Sequence, residues 1–438
     1  MTDSTADPSR RDVLRASGAV PLGAFAVDGT LAGATERAVD ELEAALADVS
    51  PAPRPASFDG WRPGDLHCHT VNSHDVCADP TCEEPWTYGF TTAEQVRNAE
   101  LKGFDYLAIS DHNTVAAQSD SGYESSELAL VGGYEHSLAN GHAGIFGVDS
   151  VYEGPTDTDG ALASLLGRVH ADGGLGVINH PRTSISSVWE YGGPVGLDAV
   201  EVWSIAWYLR SDRTGLGSNN HLALEMYDAY LDAGHRLAAV GGSDSHWRIT
   251  DPVGGVGTPT TWVYAPSGEA TDVVDGIRSG RTFVSWDWNG PLVKIEARTT
   301  GRQYDLAVGD LGRRFGEHAA VRTIVSGASG HRVRLIVDGI LAAETVVTTP
   351  EFVWETTVEL EGDRPQNWFR AEVLYEDGAT MRAITSPVYL TDDGRPVDPE
   401  PVDTPVDVPE FGEEARPGDT DSRCTCHPDG LRRAFYDR

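Results

Sequence analysis

Six short motifs carry residue types that bind divalent metals: Asp65-Leu66-His67-Cys68-His69-Thr70, Ser110-Asp111-His112-Asn113, Gly133-Tyr134-Glu135, Gly141-His142, Asn179-His180-Pro181 and Gly242-Ser243-Asp244-Ser245-His246. His67 and His69 are two residues apart, so on an extended segment both imidazoles leave the same face while Cys68 points away. The same holds for Asp244 and His246. A lone histidine is usually a satisfied core or surface residue, but repetition at the ends of strand candidates reads as a metal site. Clustered cations held by imidazole and carboxylate lower the pKa of a shared water and polarise a substrate oxygen, so no serine or cysteine nucleophile is required. Mixed N/O ligands suit zinc or manganese, with iron as an alternative. Arg182, directly after Asn179-His180-Pro181, is placed to clamp an anionic group, against the plainer reading of a surface arginine. Asp111 reads either as a partner that orients a histidine or as a turn residue.

These motifs need a scaffold that brings strand ends together. Between Trp61 and about Trp288 apolar runs alternate with helical patterns. Strands are expected at 65–70, 106–110, 128–133, 143–148, 175–178, 199–203, 237–240 and 261–264, and helices at 93–102, 161–171, 221–233 and 270–279. Thr92 and Gln95 stand at capping-box spacing before the first helix. The alternation implies a mainly parallel α/β sheet, open or closed, with active groups at the carboxyl ends of its strands. From residue 289 to 392 the pattern is β-rich without helices, which reads as a small sandwich. All the candidate ligands precede it, so a deletion ending near Trp288 is expected to retain metal, at a loss of solubility where the sandwich covers an apolar face. Residues 35–60 read as a linker and 393–438 as an acidic, disordered tail. Trp189, Trp203, Trp207 and Trp247 lie near motif ends, but most tryptophans pack in cores, and none is assigned to substrate.

In order, H-x-H, D-H-N, G-x-E, G-H, N-H-P and S-D-S-H resemble the PHP (polymerase and histidinol phosphatase) family over nearly all of 61–288. Gly280-Arg281-Thr282-Phe283-Val284, Arg370-Ala371-Glu372-Val373 and Ser386-Pro387-Val388-Tyr389 resemble its carbaryl-hydrolase-like branch. The resemblance implies a distorted (β/α)7 barrel with a two- or three-metal site, followed here by the all-β sandwich. It implies one ion on His67, His69, Glu135 and Asp244, with Glu135 bridging. A second ion would take His112, His246 and a residue of Ser73-His74-Asp75, where the family's S-x-D pattern favours Asp75 and His74 competes. A third would take Glu135, His142 and His180. The expected activity is hydrolysis of a small-molecule ester by a metal-activated hydroxide, with Glu135, Asp244 and Arg182 as the catalytic set. Phosphoesters come first, carboxylic or carbamate esters second, and non-catalytic metal or surface binding is the remaining alternative.

The rest of the composition bounds the setting. The chain has 438 residues, long enough for more than one core, and Lys+Arg 33 against Asp+Glu 68 gives a net charge of −35. Lysine occurs only at Lys102 and Lys294. So acidic a surface disfavours nucleic acid and reads as adaptation to high salt. Ser9-Arg10-Arg11-Asp12-Val13-Leu14 and the apolar run to Val27 resemble a twin-arginine export signal within residues 1–34, with small-residue cleavage candidates at Ala24-Phe25-Ala26 and Ala32-Gly33-Ala34. The expectation is export through the twin-arginine translocase to the cell surface or beyond, without a stable membrane span. Cys77 and Cys82 flank a short loop and read as a disulfide or a zinc pair; Cys424-Thr425-Cys426 remains unexplained.

Overall fold

The computed structural model describes residues 43, 44, 46, 51, 53–79, 81, 87–182, 188–204, 220–248 and 255–402. The expected export signal, Cys82, Trp207, Cys424, Cys426 and the expected tail from residue 403 onward lie outside the described residues. No helix among the described residues is long and apolar enough to cross a membrane.

The chain is a mixed α/β protein rich in strands. One sheet places Trp61–Asp65 parallel to Tyr106–Ala108, which is in turn parallel to Ala129–Val131, and antiparallel to Thr260–Tyr264 on its other side. A second runs Ala238–Gly242, Ala199–Ser204, Leu175–Ile178, Gly141–Phe146 and Gly133–Leu138. Its first three strands are parallel and its last two antiparallel. The two sheets meet at seams rather than forming the continuous parallel ladder of the expected (β/α)7 barrel. At one seam the Thr261 hydroxyl donates to the Gly241 carbonyl and accepts from its N–H, at 2.7 and 2.8 Å. At the other, His112 and Glu135 form a single parallel bridge.

Helices cover this scaffold at Thr92–Leu101, Asp159–Ala171, Asn220–Asp232 and Ala270–Arg278, within two residues of expectation. The first is closed by a capping box one residue earlier than its sequence spacing suggests. The Thr91 hydroxyl accepts from the Glu94 N–H, and the Glu94 carboxylate accepts from the Thr91 N–H at 2.8 Å. Glu94 also pairs with Arg248, 2.6 Å away, so this helix start is tied to the segment that follows His246.

The C-terminal strands lie in two layers. A four-stranded sheet containing Leu292–Arg298, His318–Ser326 and Glu351–Glu359 packs on strands Arg332–Val337, Gln366–Leu374, Met381–Thr385 and Val388–Thr391, burying Val293, Val321, Leu335, Phe369 and Val388. Its second layer is not separate, however. Thr282–Ser285 pairs with Met381–Thr385 on one side and Thr260–Tyr264 on the other, so the sheet runs unbroken across the expected boundary at 288/289. Part of the expected linker is also packed: Phe58 is buried in the sandwich core and Arg54 pairs with Asp105.

Candidate metal centre

The two spaced pairs meet because their backbones lie side by side. Cys68 and Ser245 form a parallel bridge, the His69 N–H donates to the Ser245 carbonyl at 3.0 Å, and the Asp244 N–H donates to the His67 carbonyl at 2.8 Å. Extended alternation then puts His67, His69, Asp244 and His246 on one side, while Cys68 is buried behind them among Val96, Leu107 and Ile109. Both segments lie past the ends of their strands, which stop at Asp65 and Gly242. Asp65 accepts from the His67 N–H at 3.0 Å and the Gly257 N–H at 2.7 Å, which fixes that exit.

Glu135 sits at the centre, on the strand Gly133–Leu138. Its Oε2 lies 3.2 Å from His67 Nε2 and 3.3 Å from both His69 Nε2 and His112 Nδ1. Its Oε1 lies 3.2 Å from His142 Nδ1 and 3.0 Å from His180 Nε2, and accepts from Asn179 Nδ2 at 2.9 Å. Asp244 Oδ1 lies 3.2 Å from Nε2 of His67 and of His69 and from Nδ1 of His246. Of the two residues competing in the 73–75 segment, the carboxylate faces inward: Asp75 Oδ2 is 2.9 Å from His246 Nε2, whereas His74 is exposed. Ser73 donates to the other Asp75 oxygen at 2.7 Å.

Three groups of ligand atoms are close enough to share an ion: His67, His69, Glu135 and Asp244; His69, Asp75, His112 and His246; and His112, Glu135 and His142. The grouping differs in detail from the ion-by-ion set implied by the resemblance. His69 belongs to two groups, and the third pairs His142 with His112, while His180 reaches Glu135 from beside it.

The decisive chemistry lies in what these atoms lack. Among the described residues, His67 Nε2, His69 Nε2, Asp75 Oδ2, Glu135 Oε2, His142 Nδ1, Asp244 Oδ1 and His246 Nε2 are fully buried with no hydrogen-bond partner, although each lies 2.9–3.3 Å from a facing carboxylate oxygen or imidazole nitrogen of the cluster. Leaving one buried polar atom unsatisfied costs ~1–3 kcal/mol. Seven on a shared focus are what a set of cation ligands requires. Without cations, protons must take that role. Burial opposes charging the His246 ring, but Asp75 and Asp244 outweigh it and push its pKa up to about 10. His180 is likewise pushed up to about 9, against burial, by Glu135. Burial would raise Glu135, yet His67, His112 and His142 hold it well below the usual carboxylate range.

Backbone strain gathers here as well. His180 and Asp244 have φ of +26° and +47°, in the left-handed region that side chains disfavour. A carboxylate not singled out from the sequence explains how His180 is held. Glu201, buried on the strand Ala199–Ser204, accepts from the His180 N–H at 2.5 Å and from the Ser204 hydroxyl at 2.7 Å, and lies 3.0 Å from His67 Nδ1. Its signal was present, a single charge inside Ala199-Val200-Glu201-Val202-Trp203, a strand buried at every position. Burying a carboxylate there demands partners.

Asp111 acts beside His69 through the backbone rather than on the ring. It accepts from the Thr70 N–H and hydroxyl at 2.6 and 2.8 Å, fixing the turn after His69, and burial pushes its pKa up to about 6. Arg182 is buried, which removes its reading as a surface arginine. Trp189 and Trp203 are core residues, and Trp247 lies half-buried with its ring 5.8 Å from that of His246. Cys77 is disulfide-bonded.

No protein-family model and no curated protein matches the chain. Among solved structures, a two-domain protein from Bacteroides vulgatus, described as containing a predicted PHP-like metal-dependent phosphoesterase, aligns over 77% of this chain and 98% of its own at 12% identity, with a TM-score of 0.38.

Proposed function

We propose that this chain is a metal-dependent hydrolase of the PHP type, acting on a phosphoester of a small molecule. The observation that carries the reading is the set of buried, unpartnered imidazole and carboxylate atoms around Glu135. Bound divalent cations supply Lewis acidity and a water acidic enough to ionise near neutral pH. The chain's own residues divide the remaining work. Glu135 and Asp244 hold negative charge between the imidazoles, Asn179 fixes the Glu135 rotamer, and Asp111 fixes the turn that aims His69. Arg182, buried at the end of the His180 turn, is the candidate clamp for an anionic group.

A phosphoester is preferred because a phosphoryl group offers several oxygens to neighbouring cations. The motifs that suggested a carbamate-hydrolysing branch are occupied elsewhere. Thr282 and Ser386 share a hydroxyl contact of 2.7 Å and tie both to the Ala239 backbone, while Arg370 pairs with Asp228 and Glu372. These residues join the halves of the molecule, so their presence does not argue for a carbamate substrate.

The test is a screen of phosphomonoesters, phosphodiesters and aryl esters with zinc- or manganese-loaded protein in high salt. Phosphoester turnover should fall by orders of magnitude in Glu135→Gln, which keeps the shape and removes the charge. Turnover of none of these esters, or an unimpaired Glu135→Gln, would leave the metals a structural role. Export by the twin-arginine route belongs to the same proposal; replacing Arg10 and Arg11 by lysine should retain the precursor inside the cell, and unchanged secretion would remove that part.

A further inference from the structure

We infer that Glu201 is a positioning residue that sets the tautomer of His67 and the backbone of His180, so that one carboxylate holds ligands on two sides of the metal centre. The inference rests on the metal-centre reading above. Both of its oxygens are engaged. Oε1 lies 3.0 Å from His67 Nδ1, and Oε2 accepts from the His180 N–H and the Ser204 hydroxyl. A carboxylate accepts only, so His67 must carry its proton on Nδ1. The lone pair is then on Nε2, the atom that faces Glu135 Oε2 and Asp244 Oδ1, each 3.2 Å away. That lone pair against two anionic oxygens is repulsive unless a cation, or in its absence a proton, lies between them.

The second oxygen acts on the main chain. His180 has φ +26°, a conformation that costs on the order of 1–3 kcal/mol and persists only where its surroundings enforce it. The charge-assisted bond from its N–H to Glu201 is such an enforcement. Space is reserved for this carboxylate by the absence of a side chain opposite: a Cβ on Gly242 would lie 2.0 Å from Glu201 Oε1 and 2.4 Å from the His67 Cβ. Glu201 coordinates nothing in any of the three ligand groups, so its effect on the centre runs through His67 and His180.

Glu201→Gln tests this with little change of shape. An amide cannot serve both sides. With its oxygen on the His180 side, its NH₂ donates to His67 Nδ1 and drives the imidazole proton onto Nε2, the metal-facing atom. With the amide reversed, the NH₂ opposes the His180 N–H. Zinc affinity of the full-length protein, measured by competition with a chromophoric chelator, should fall about 10–100-fold at one position. The histidine ¹⁵N spectrum of the zinc-saturated protein should show His67 Nδ1 losing its proton. Glu201→Asp, which restores an acceptor-only group, should recover part of the affinity. Unfolding of the metal-free Glu201→Gln protein in urea separates a folding defect from a ligand defect. The positioning role requires the affinity loss in a variant that still folds, and Ser204→Ala gives a milder version should Glu201→Gln fail to fold. Wild-type affinity and an unchanged His67 spectrum in folded Glu201→Gln would overturn the inference. No zinc binding by the wild type would instead overturn the metal reading itself.

Discussion

His180 and His246 show what the centre asks of its residues. In the metal-free protein each ring gains more from neighbouring carboxylates than burial removes, so their pKa values rise to about 9 and about 10 from 6.5. A pKa raised by folding gives stability that is fully present below pH 6.5 and lost as pH climbs through the folded value. The chelator-stripped protein should therefore melt at progressively lower temperature between about pH 6.5 and 10. Metal competes with those protons for the same atoms, so zinc should raise the midpoint most at the alkaline end. A stripped protein whose midpoint is flat across that range would show that these imidazoles are not the partners of Asp75 and Glu135. Most of the candidate ligands were legible as residues because two-residue spacing on extended chain has a fixed geometric meaning. Glu201 carried only the signal of a lone charge inside an apolar strand; its partners His67 and His180 are 134 and 21 residues away, so no spacing tied it to the site.

At the level of elements, strands and helices were legible where periodicity was strong, as in Leu175–Ile178 and Asp159–Ala171. The strand Gly133–Leu138, which carries Glu135, was mostly missed because Gly133-Tyr134-Glu135-His136-Ser137 has no clean alternation of apolar and polar residues. Its antiparallel pairing with Gly141–Phe146, by contrast, buries every residue of the second strand. The division into barrel and sandwich misjudged how strongly the halves are joined. Ile336, Trp368, Leu374, Met381, Ile384 and Tyr389 share one core with Trp203, Tyr227 and Val284. At roughly 2 kcal/mol for each large apolar side chain buried, losing those six is comparable with the whole stability of ~5–15 kcal/mol typical of a domain. A chain ending at Trp288 should accordingly be insoluble or unfolded and hold no metal, contrary to the sequence-based expectation that it keeps its metals. A soluble, metal-loaded fragment would show that the N-terminal sheets stand alone.

Across the whole molecule, the excess of carboxylates is the dominant surface property. A net charge of −35 on 438 residues gives self-repulsion that the few cations, many already paired as Arg322 is with Glu296, do not cancel. At molar salt the screening length falls to about 3 Å, so the thermal midpoint should rise steeply from low to molar salt; indifference to salt would remove the high-salt reading. None of this bears on the claim that the buried atoms around Glu135 are metal ligands. Elemental analysis of the purified full-length protein, beside a His67→Ala/His69→Ala double variant, tests that claim most directly. The three ligand groups predict at least two equivalents of divalent metal per chain in the wild type. Because His69 belongs to two of the groups, the double variant should lose at least one. A wild type without metal after incubation with zinc and manganese, or a double variant that keeps its full complement, would contradict the account.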